Sequence, residues 1–143
     1  MNATVAAISA RFGPPSMTLR DGRIQDDYGS ESCAKLVVNH RTTVDVTDEE
    51  LEYYQDVYTF LTPDSLLFYL APVTTWLSRH PNSGRTVFDS FVWSLDRHWK
   101  AVQEILSSDE TEAVLTLLKS LRDKSDLEYT YGHCTAIFAN LPN

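Results

Sequence analysis

The segment SLLFYLAPVTTWL, residues 65–77, is apolar around the whole circumference of a helix. A helix that lacks a polar face is buried on all sides. Thr62-Pro63-Asp64 just before it is a helix start signal, with threonine as the N-cap, proline at the first helical position and an acid in the first turn. Pro72 removes one backbone hydrogen bond and predicts a kink. The rest of the chain must therefore surround a central buried helix.

Helical spacing of apolar residues predicts further helices on both sides of this segment. The length of 143 residues fits one domain. The sequence thus predicts an all-α fold, a single-domain bundle of about six or seven helices over residues 1–143. The predicted helices before the central one are residues 3–12, a helix that Ser30 caps and that runs through residues 34–38 to an end near Asn39-His40, and residues 48–60 after a capping box of Thr47 and Glu50. The predicted helices after it are residues 86–106, with a break before Trp99 left open, and a helix through Ala113–Leu121 after a cap at Ser107–Glu110.

Two stretches carry weaker patterns. Residues 13–29 predict a loop, with a turn at Asp21-Gly22. The tail, residues 126–141, is compatible with a helix after a capping box of Ser125 and Glu128, and also with a strand. We favour the helix for the tail, and the strand stays open at this point.

The composition is that of a globular protein, with 43% hydrophobic and 22% charged residues. The first residues, MNATVAAISARF, have neither the basic region nor the apolar run of a signal peptide. No stretch reaches the roughly 18 apolar residues of a transmembrane helix. Cys33 and Cys134 are far apart and belong to no CxxC motif, which predicts neither a zinc site nor a disulfide. We expect a cytoplasmic protein.

The negative charge of the chain is concentrated in one window. Between Arg41 and Arg79 there is no lysine or arginine but there are seven acids, whereas the rest of the chain holds 13 acids and 12 bases. Nearly all of the net charge of −8 therefore lies in this window. A localised charge favours a protein partner with a basic surface. A sequence pI near 4.8 argues against nucleic acid and membranes as partners, because both require a cationic surface.

The predicted helix at residues 48–60 is the candidate partner-binding surface. Its apolar residues share one face, and its acids lie on the opposite face beside aromatic residues. Aromatic side chains supply contact energy and charges accelerate association. The alternative is a solvated outer face whose apolar stripe only packs on the core. The residues that we assign to the binding surface are Glu49, Glu52, Tyr53, Asp56 and Phe60.

A second candidate site is Asp26-Asp27 beside Tyr28. Paired carboxylates can bind a metal or act as a general base. One alternative function is therefore a small metal-dependent hydrolase that uses Asp26, Asp27 and a histidine, and another is a structural subunit of a homo-oligomer. The four histidines show no ligand spacing, no GxSxG motif is present, and five glycines are too few for a phosphate-binding loop. The sequence itself predicts no enzyme, no metal and no cofactor.

The segment Phe60–Leu77, FLTPDSLLFYLAPVTTWL, resembles the signature of a bacterial family of unknown function whose members read approximately "fLtPEaFryyLPafl". Asp26-Asp27-Tyr28, the capping-box helix before the signature, and the segment Ile105–Leu118 also resemble elements of that family. This chain has Leu-Ala-Pro where the family has Leu-Pro, which shifts the proline by one residue. The resemblance implies no established activity. Small acidic proteins of this kind are similar to immunity proteins, so we expect a non-enzymatic protein that occludes the basic site of a bacterial toxin.

Overall fold

A computed structural model describes residues 3–81, 87–124 and 134–138. Every regular element within these residues is helical, so the predicted all-α fold is confirmed. The described helices are α1 (Ala3–Arg11), α2 (Leu19–Asp26), α3 (Asp48–Tyr53), α4 (Pro63–Arg79), α5 (Val87–Arg97), α6 (Trp99–Ile105), α7 (Ser108–Lys124) and α8 (Thr135–Phe138), with 3-10 turns at Thr43–Asp45 and Tyr58–Phe60.

Helix α4 is the central buried helix that the sequence predicts. All but one of the residues from Ser65 to Leu77 are buried, and α1, α5 and α6 pack against this helix. The helix begins at Pro63, as predicted. The hydroxyl of Thr62 bonds the hydroxyls of Ser16 and Ser65 and makes no hydrogen bond to a first-turn amide.

Pro72 lies inside α4, as the sequence indicates, and has no N–H to donate to the carbonyl of Phe68. The helix is supported at the preceding residue by Ser9 of α1, which is fully buried. Ser9 Oγ accepts a hydrogen bond from the amide of Ala71 at 2.9 Å and donates one to the carbonyl of Leu67 at 2.8 Å. A side chain placed between these two backbone groups is a recognised cause of helix distortion. The hydroxyl also ties α1 to the middle of α4.

The prediction of a loop at residues 13–29 is wrong, because α2 lies within it. Thr18 Oγ1 accepts a hydrogen bond from the amide of Asp21, and the Asp21 carboxylate accepts one from the amide of Thr18. This reciprocal pair is a capping box. The helix has few apolar residues and carries Gly22 in its middle, so no apolar stripe marks it in the sequence.

The predicted helix at residues 30–38 is also wrong, because this segment contains no regular helix. Its backbone carbonyls bond to side chains from other elements. Arg20 Nε donates to the carbonyl of Ala34, and the Tyr54 hydroxyl donates to the carbonyl of Leu36. These carbonyls are therefore engaged by α2 and by the end of α3, and two adjacent β-branched valines further disfavour a helix.

The predicted helix at residues 48–60 is correct only for its first part. The capping box of Thr47 and Glu50 is confirmed, but α3 ends at Tyr53 and the chain continues into the 3-10 turn at Tyr58–Phe60. This turn packs against α2 and α5, which gives the chain a reason to leave the helix axis. The predicted apolar stripe is nevertheless buried in full: Leu51, Tyr54, Val57, Tyr58 and Leu61 are each at most 1% exposed.

The second half of the described chain follows the sequence closely. The break between α5 and α6 falls at His98, just before Trp99. Helix α7 begins with the predicted cap, since the amide of Glu110 donates to Ser107 Oγ and the Glu110 carboxylate accepts from the amide of Ser107. Part of the tail is helical, as favoured, in α8, while most of residues 126–141 lies outside the described residues. Among the described helices, none combines the length and the hydropathy of a membrane span.

Candidate protein-binding surface

Arg23 joins the two regions that the sequence presents as separate candidate sites. Its guanidinium donates to Asp26 at 2.7 Å and also to Asp56. The Arg23 side chain is 15% exposed, whereas Asp26 and Asp56 are 35% and 67% exposed. A largely covered cation thus holds two accessible carboxylates at one surface, one at the end of α2 and the other just after α3.

The close approach of α2 to the segment after α3 depends on Gly22. A side-chain Cβ at this position would lie 3.1 Å from Leu61 Cδ2 and 3.2 Å from the carbonyl oxygen of Val57. Both distances are shorter than ordinary van der Waals contact. The absence of a side chain therefore lets α2 lie against residues 57–61, and this places Arg23 beside Asp56.

Tyr28 is the most exposed aromatic residue of this surface. The amide of Gly29 donates to the carbonyl of Ile24, and the amide of Tyr28 donates to the carbonyl of Gln25. This pair of bonds is the Schellman motif that ends α2, with Tyr28 in the position where glycine is usual. Tyr28 has a φ of 55° and is 101% exposed. A bulky residue with positive φ is strained, and its side chain gains no packing in return.

Helix α3 presents the acids and the tyrosine that the sequence assigns to the surface. Glu49 and Glu52 are exposed, and Tyr53 is 44% exposed with its ring edge-to-face against the buried Tyr54 at 4.7 Å between centroids. Residues three and four apart on a helix are neighbours, so Glu49, Glu52 and Tyr53 form one patch. Phe60 is half-buried and lies in the 3-10 turn beyond α3. Phe60 is therefore the least accessible of the assigned residues.

Most acids of the lysine-free window have partners from outside it. Asp48 pairs with Arg79, and Asp56 pairs with Arg23. Asp45 accepts from the amides of Thr42 and Arg41, which lower the pKa of its carboxyl. The surface formed by this window therefore carries less net negative charge than the count of its acids in the sequence suggests. Four acids of the window have no arginine or lysine partner among the described residues: Glu49, Glu50, Glu52 and Asp64. Glu52 accepts a hydrogen bond from Trp76 Nε1 at 3.4 Å, Glu50 bonds to His40, and Asp64 accepts from the hydroxyl of Ser16.

A hydrogen-bonded group of side chains, here called the His40 network, lies on the buried side of α3 and consists of His40, Glu50 and Tyr69. The Tyr69 hydroxyl accepts from the amide of Leu19 at 3.2 Å and lies 2.7 Å from His40 Nδ1. His40 Nε2 lies 2.8 Å from Glu50 Oε1. The geometry fits the tautomer of His40 that carries its proton on Nε2, in which the Tyr69 hydroxyl donates to Nδ1 and Nε2–H donates to Glu50. Burial raises the pKa of the Tyr69 hydroxyl. The network connects α3 to α4.

The sequence matches a family of unknown function, DUF6714, over residues 6–139. The chain belongs to this family. No curated protein and no solved structure matches the chain. The expectation that the chain resembles a family of unknown function is confirmed.

The DUF6714 match covers every residue of the surface described above, from Arg23 to Asp56. The family description carries no activity, so the role of this surface rests on its own chemistry. The surface that we define from the structure, here called the acidic surface, comprises Asp26, Tyr28, Glu49, Glu52, Tyr53 and Asp56.

Asp26 and Asp27 do not form a metal site with a histidine in the part of the chain that the structure describes. No cluster of three metal-ligating side chains occurs there. Asp26 is engaged by Arg23, and one carboxylate oxygen of Asp27 is buried without a hydrogen-bond partner among the described residues. His40 belongs to its own network, and His80 stacks on Trp76. His133 lies outside the described residues.

A hollow of about 490 Å³ between α6 and α7 lies apart from the acidic surface. Its lining combines Leu106 and Leu115 with hydroxyl groups and a single ionisable residue, Glu112. An active site usually combines several titratable groups in defined roles. We therefore place the candidate site on the acidic surface and not in this hollow.

Sequence reasoning missed Arg23 and treated Tyr28 only as a neighbour of two acids. The capping signal Thr18-x-x-Asp21 and the glycine at position 29 were available as markers of the two ends of α2. Recognition of α2 would have placed Tyr28 at a helix terminus. The pairing of Arg23 with Asp56 spans 33 residues and has no local signal.

Proposed function

We propose that this protein is a non-enzymatic binding protein whose partner is a protein with a basic surface. The observation that carries the proposal is the acidic surface itself. Two exposed tyrosines, Tyr28 and Tyr53, lie on it together with four carboxylates. The carboxylates of Asp26 and Asp56 share the guanidinium of Arg23, whereas Glu49 and Glu52 have no cationic partner among the described residues. Tyrosine is enriched among residues that dominate binding energy, and carboxylates steer a cationic partner to the surface.

Tyr28 supports the proposal because folding gains nothing from it. Its side chain is fully exposed, and its backbone adopts a conformation that costs a residue other than glycine about 1–2 kcal/mol. Backbone strain of this kind is concentrated at functional sites. A partner that covers Tyr28 would bury an aromatic ring that is otherwise in contact with water.

The arrangement of the acids also favours a pre-organised surface. Arg23 holds Asp26 and Asp56 in place, and the Thr47 capping box fixes the start of α3, which carries Glu49 and Glu52. Ordering of side chains before binding lowers the entropy that association loses. The carboxylates remain accessible, so a basic side chain of the partner can reach them.

A specific form of the proposal is an immunity protein that occludes the basic cleft of a bacterial toxin. The support for this form is the charge of the surface, which is complementary to such a cleft, together with the small acidic chain. Inhibition of the partner's activity by the purified protein would distinguish this form from a binding protein with another role.

Site-specific photo-crosslinking tests the proposed surface. A benzoylphenylalanine replaces Tyr28 or Tyr53 in separate variants, and a matched control replaces Trp93 of α5, which is exposed to a similar extent as Tyr53. The variants are expressed in the native cells and irradiated, and crosslinked species are identified by mass spectrometry. We expect one protein with a basic surface to crosslink at Tyr28 and Tyr53 and not at Trp93.

Equal crosslinking of that protein at all three positions would refute the assigned surface. Crosslinking at Trp93 alone would move the binding site to α5. Crosslinking only to a protein with an acidic surface would refute the proposed partner chemistry.

A further inference from the structure

The segment from Ala34 to His40 lies beside the acidic surface and alternates between covered and exposed residues. Every second residue, beginning with Lys35, is exposed, and the residues between them are buried or half-buried. An alternation with a period of two is typical of an extended chain with one face on the core. The backbone bends at Leu36, and residues 37–40 continue without a further bend or turn.

One edge of this segment is hydrogen-bonded to side chains of α2 and of the residue that follows α3. The carbonyls of Ala34 and Leu36 accept hydrogen bonds from Arg20 and Tyr54. In an extended chain, alternate residues direct their N–H and C=O groups to the same edge. By this alternation, we expect the groups of Lys35 and Val37, on either side of the bend at Leu36, to point to the opposite edge.

The opposite edge has no intramolecular partner within the described chain. None of the backbone amides from Lys35 to His40 donates a hydrogen bond to another described group, and the carbonyls of Lys35, Val37 and Asn39 accept none. Val37 is 73% exposed on the outer face. An exposed row of unpaired backbone groups is a template for pairing with another strand.

The segment is held in place at both ends. Arg20 and Tyr54 bind its first part, and His40 anchors its end to Tyr69 and Glu50 through the His40 network. A fixed edge binds a strand at a lower entropic cost than a mobile one. The backbone groups are therefore presented in a defined position next to α3.

We propose that residues 35–39 form an open edge, to which the partner adds an extended, basic segment by main-chain pairing. This inference rests on the proposed function, because the acidic surface supplies the charge selection. Main-chain hydrogen bonds give affinity in this mode of recognition, and alternate side chains give specificity. The segment begins beside the acidic surface, because the Tyr53 hydroxyl lies 3.5 Å from the carbonyl oxygen of Cys33. Basic side chains of an added strand are therefore expected to be attracted by Glu49 and Glu52.

Charge also argues against a second copy of this chain as the occupant. Edge-to-edge pairing of two copies would bring two acidic surfaces together, and each chain carries a net charge of −8. Like charges brought together across an interface oppose association.

The test uses a synthetic peptide of about ten residues with alternating lysine and valine, and its counterpart with glutamate in place of lysine. Amide hydrogen exchange of the labelled full chain is measured by NMR with each peptide. We expect the lysine peptide to slow exchange of the amides of Lys35, Val37 and Asn39 by about tenfold or more, and the glutamate peptide to have no effect.

Two sets of variants separate the edge from the charge. Val37→Pro removes an outward amide, and Val37→Thr is its matched control with a β-branched side chain and an intact amide. We expect the affinity for the lysine peptide to fall about tenfold in the proline variant and to change little in the threonine variant. Glu49→Lys with Glu52→Lys tests the acidic surface, and thermal unfolding followed by circular dichroism checks that each variant folds.

Protection of the three amides together with loss of affinity in Val37→Pro would support the inference. Binding that depends on Glu49 and Glu52 but protects no amide of residues 35–39 would overturn the edge and leave the proposed function in place. Binding that protects the amides but does not respond to Glu49→Lys with Glu52→Lys would count against the charge selection and hence against the proposed function. Failure of the lysine peptide to bind would overturn the inference, as would a peptide-free dimer that already protects these amides.

Discussion

Two buried tyrosines provide a matched test of the His40 network. Tyr58 and Tyr69 are both fully buried. The hydroxyl of Tyr69 bonds to the Leu19 amide and to His40, whereas the hydroxyl of Tyr58 has no hydrogen-bond partner among the described residues. Replacement of each by phenylalanine removes one oxygen from a similarly buried ring, so the difference between the variants reports hydrogen bonding.

Tyr69→Phe leaves two groups without a partner, the amide of Leu19 and Nδ1 of His40. Leu19 and the His40 side chain are both 0% exposed, so water does not replace the lost hydroxyl without rearrangement. An unsatisfied buried polar group costs about 1–3 kcal/mol. We expect a loss of about 2–4 kcal/mol in the free energy of unfolding.

Tyr58→Phe has the opposite expectation. The substitution removes a buried hydroxyl that bonds to nothing, so we expect the free energy of unfolding to stay constant or to rise by up to about 1 kcal/mol. The assay is equilibrium urea unfolding at neutral pH, followed by far-ultraviolet circular dichroism and tryptophan fluorescence. With a slope of about 1–3 kcal/mol per molar urea, the two midpoints should differ by at least about 0.7 M. Equal destabilisation of both variants would show that the hydroxyl contacts of Tyr69 contribute nothing specific.

Three further predictions concern the helix ends, the helix contacts and pH. Tyr28→Gly removes the strain of the positive φ, and the greater chain entropy of glycine in the unfolded state offsets part of this gain. We expect the free energy of unfolding to rise by about 0.5–1 kcal/mol and the melting temperature by a few degrees. A lower melting temperature would show that the Tyr28 side chain contributes packing. Gly22→Leu should lower the free energy of unfolding by about 2 kcal/mol or more, because the side chain collides with Val57; an unchanged urea midpoint would contradict the close approach of α2. Burial raises the pKa of Tyr58 and of Tyr69 above 10, so these hydroxyls lose their protons at a lower pH in the unfolded chain than in the folded one. The free energy of unfolding should therefore fall as pH rises above about 10, and fall less steeply in Tyr58→Phe. Identical alkaline stability profiles of the two proteins would refute this.

The sequence predicts helices well wherever the pattern is local. The apolar circumference of residues 65–77 identifies α4 because burial on all sides leaves a direct mark on composition. The capping boxes at Thr47 and Ser107 locate the starts of α3 and α7 because each involves residues only three apart.

The errors fall where tertiary contacts decide the backbone. Residues 30–38 contain apolar residues that fit a helix, but Arg20 and Tyr54 bind the carbonyls of Ala34 and Leu36. Helix α2 is polar and packs through a glycine, so hydrophobic periodicity does not reveal it. Long-range bonds of this kind have no pattern in the sequence, and propensity is overridden by them.

The candidate surface could be predicted in part. Glu49, Glu52 and Tyr53 are exposed on α3, in agreement with the outer face of the predicted helix. The sequence overstates the negative charge of this surface, because Arg23 and Arg79 pair with Asp56 and Asp48 although they are 33 and 31 residues away along the chain. Distance along the sequence conceals such pairs, whereas the structure brings them together.

The central claim is that the acidic surface binds a basic partner. Its most direct test is to reverse charges on this surface and measure the affinity for the protein identified by crosslinking. Glu49→Lys with Glu52→Lys is compared with Glu104→Lys with Glu112→Lys, which changes the net charge equally at exposed positions of α6 and α7. Binding is measured by titration calorimetry at about 0.05 M and about 0.5 M salt.

The proposed function predicts that the first pair weakens binding by about 100-fold at low salt and less at high salt, while the second pair changes it by no more than a few-fold. Equal effects of the two pairs, or no effect of the first pair, would contradict the claim that the acidic surface binds a basic partner.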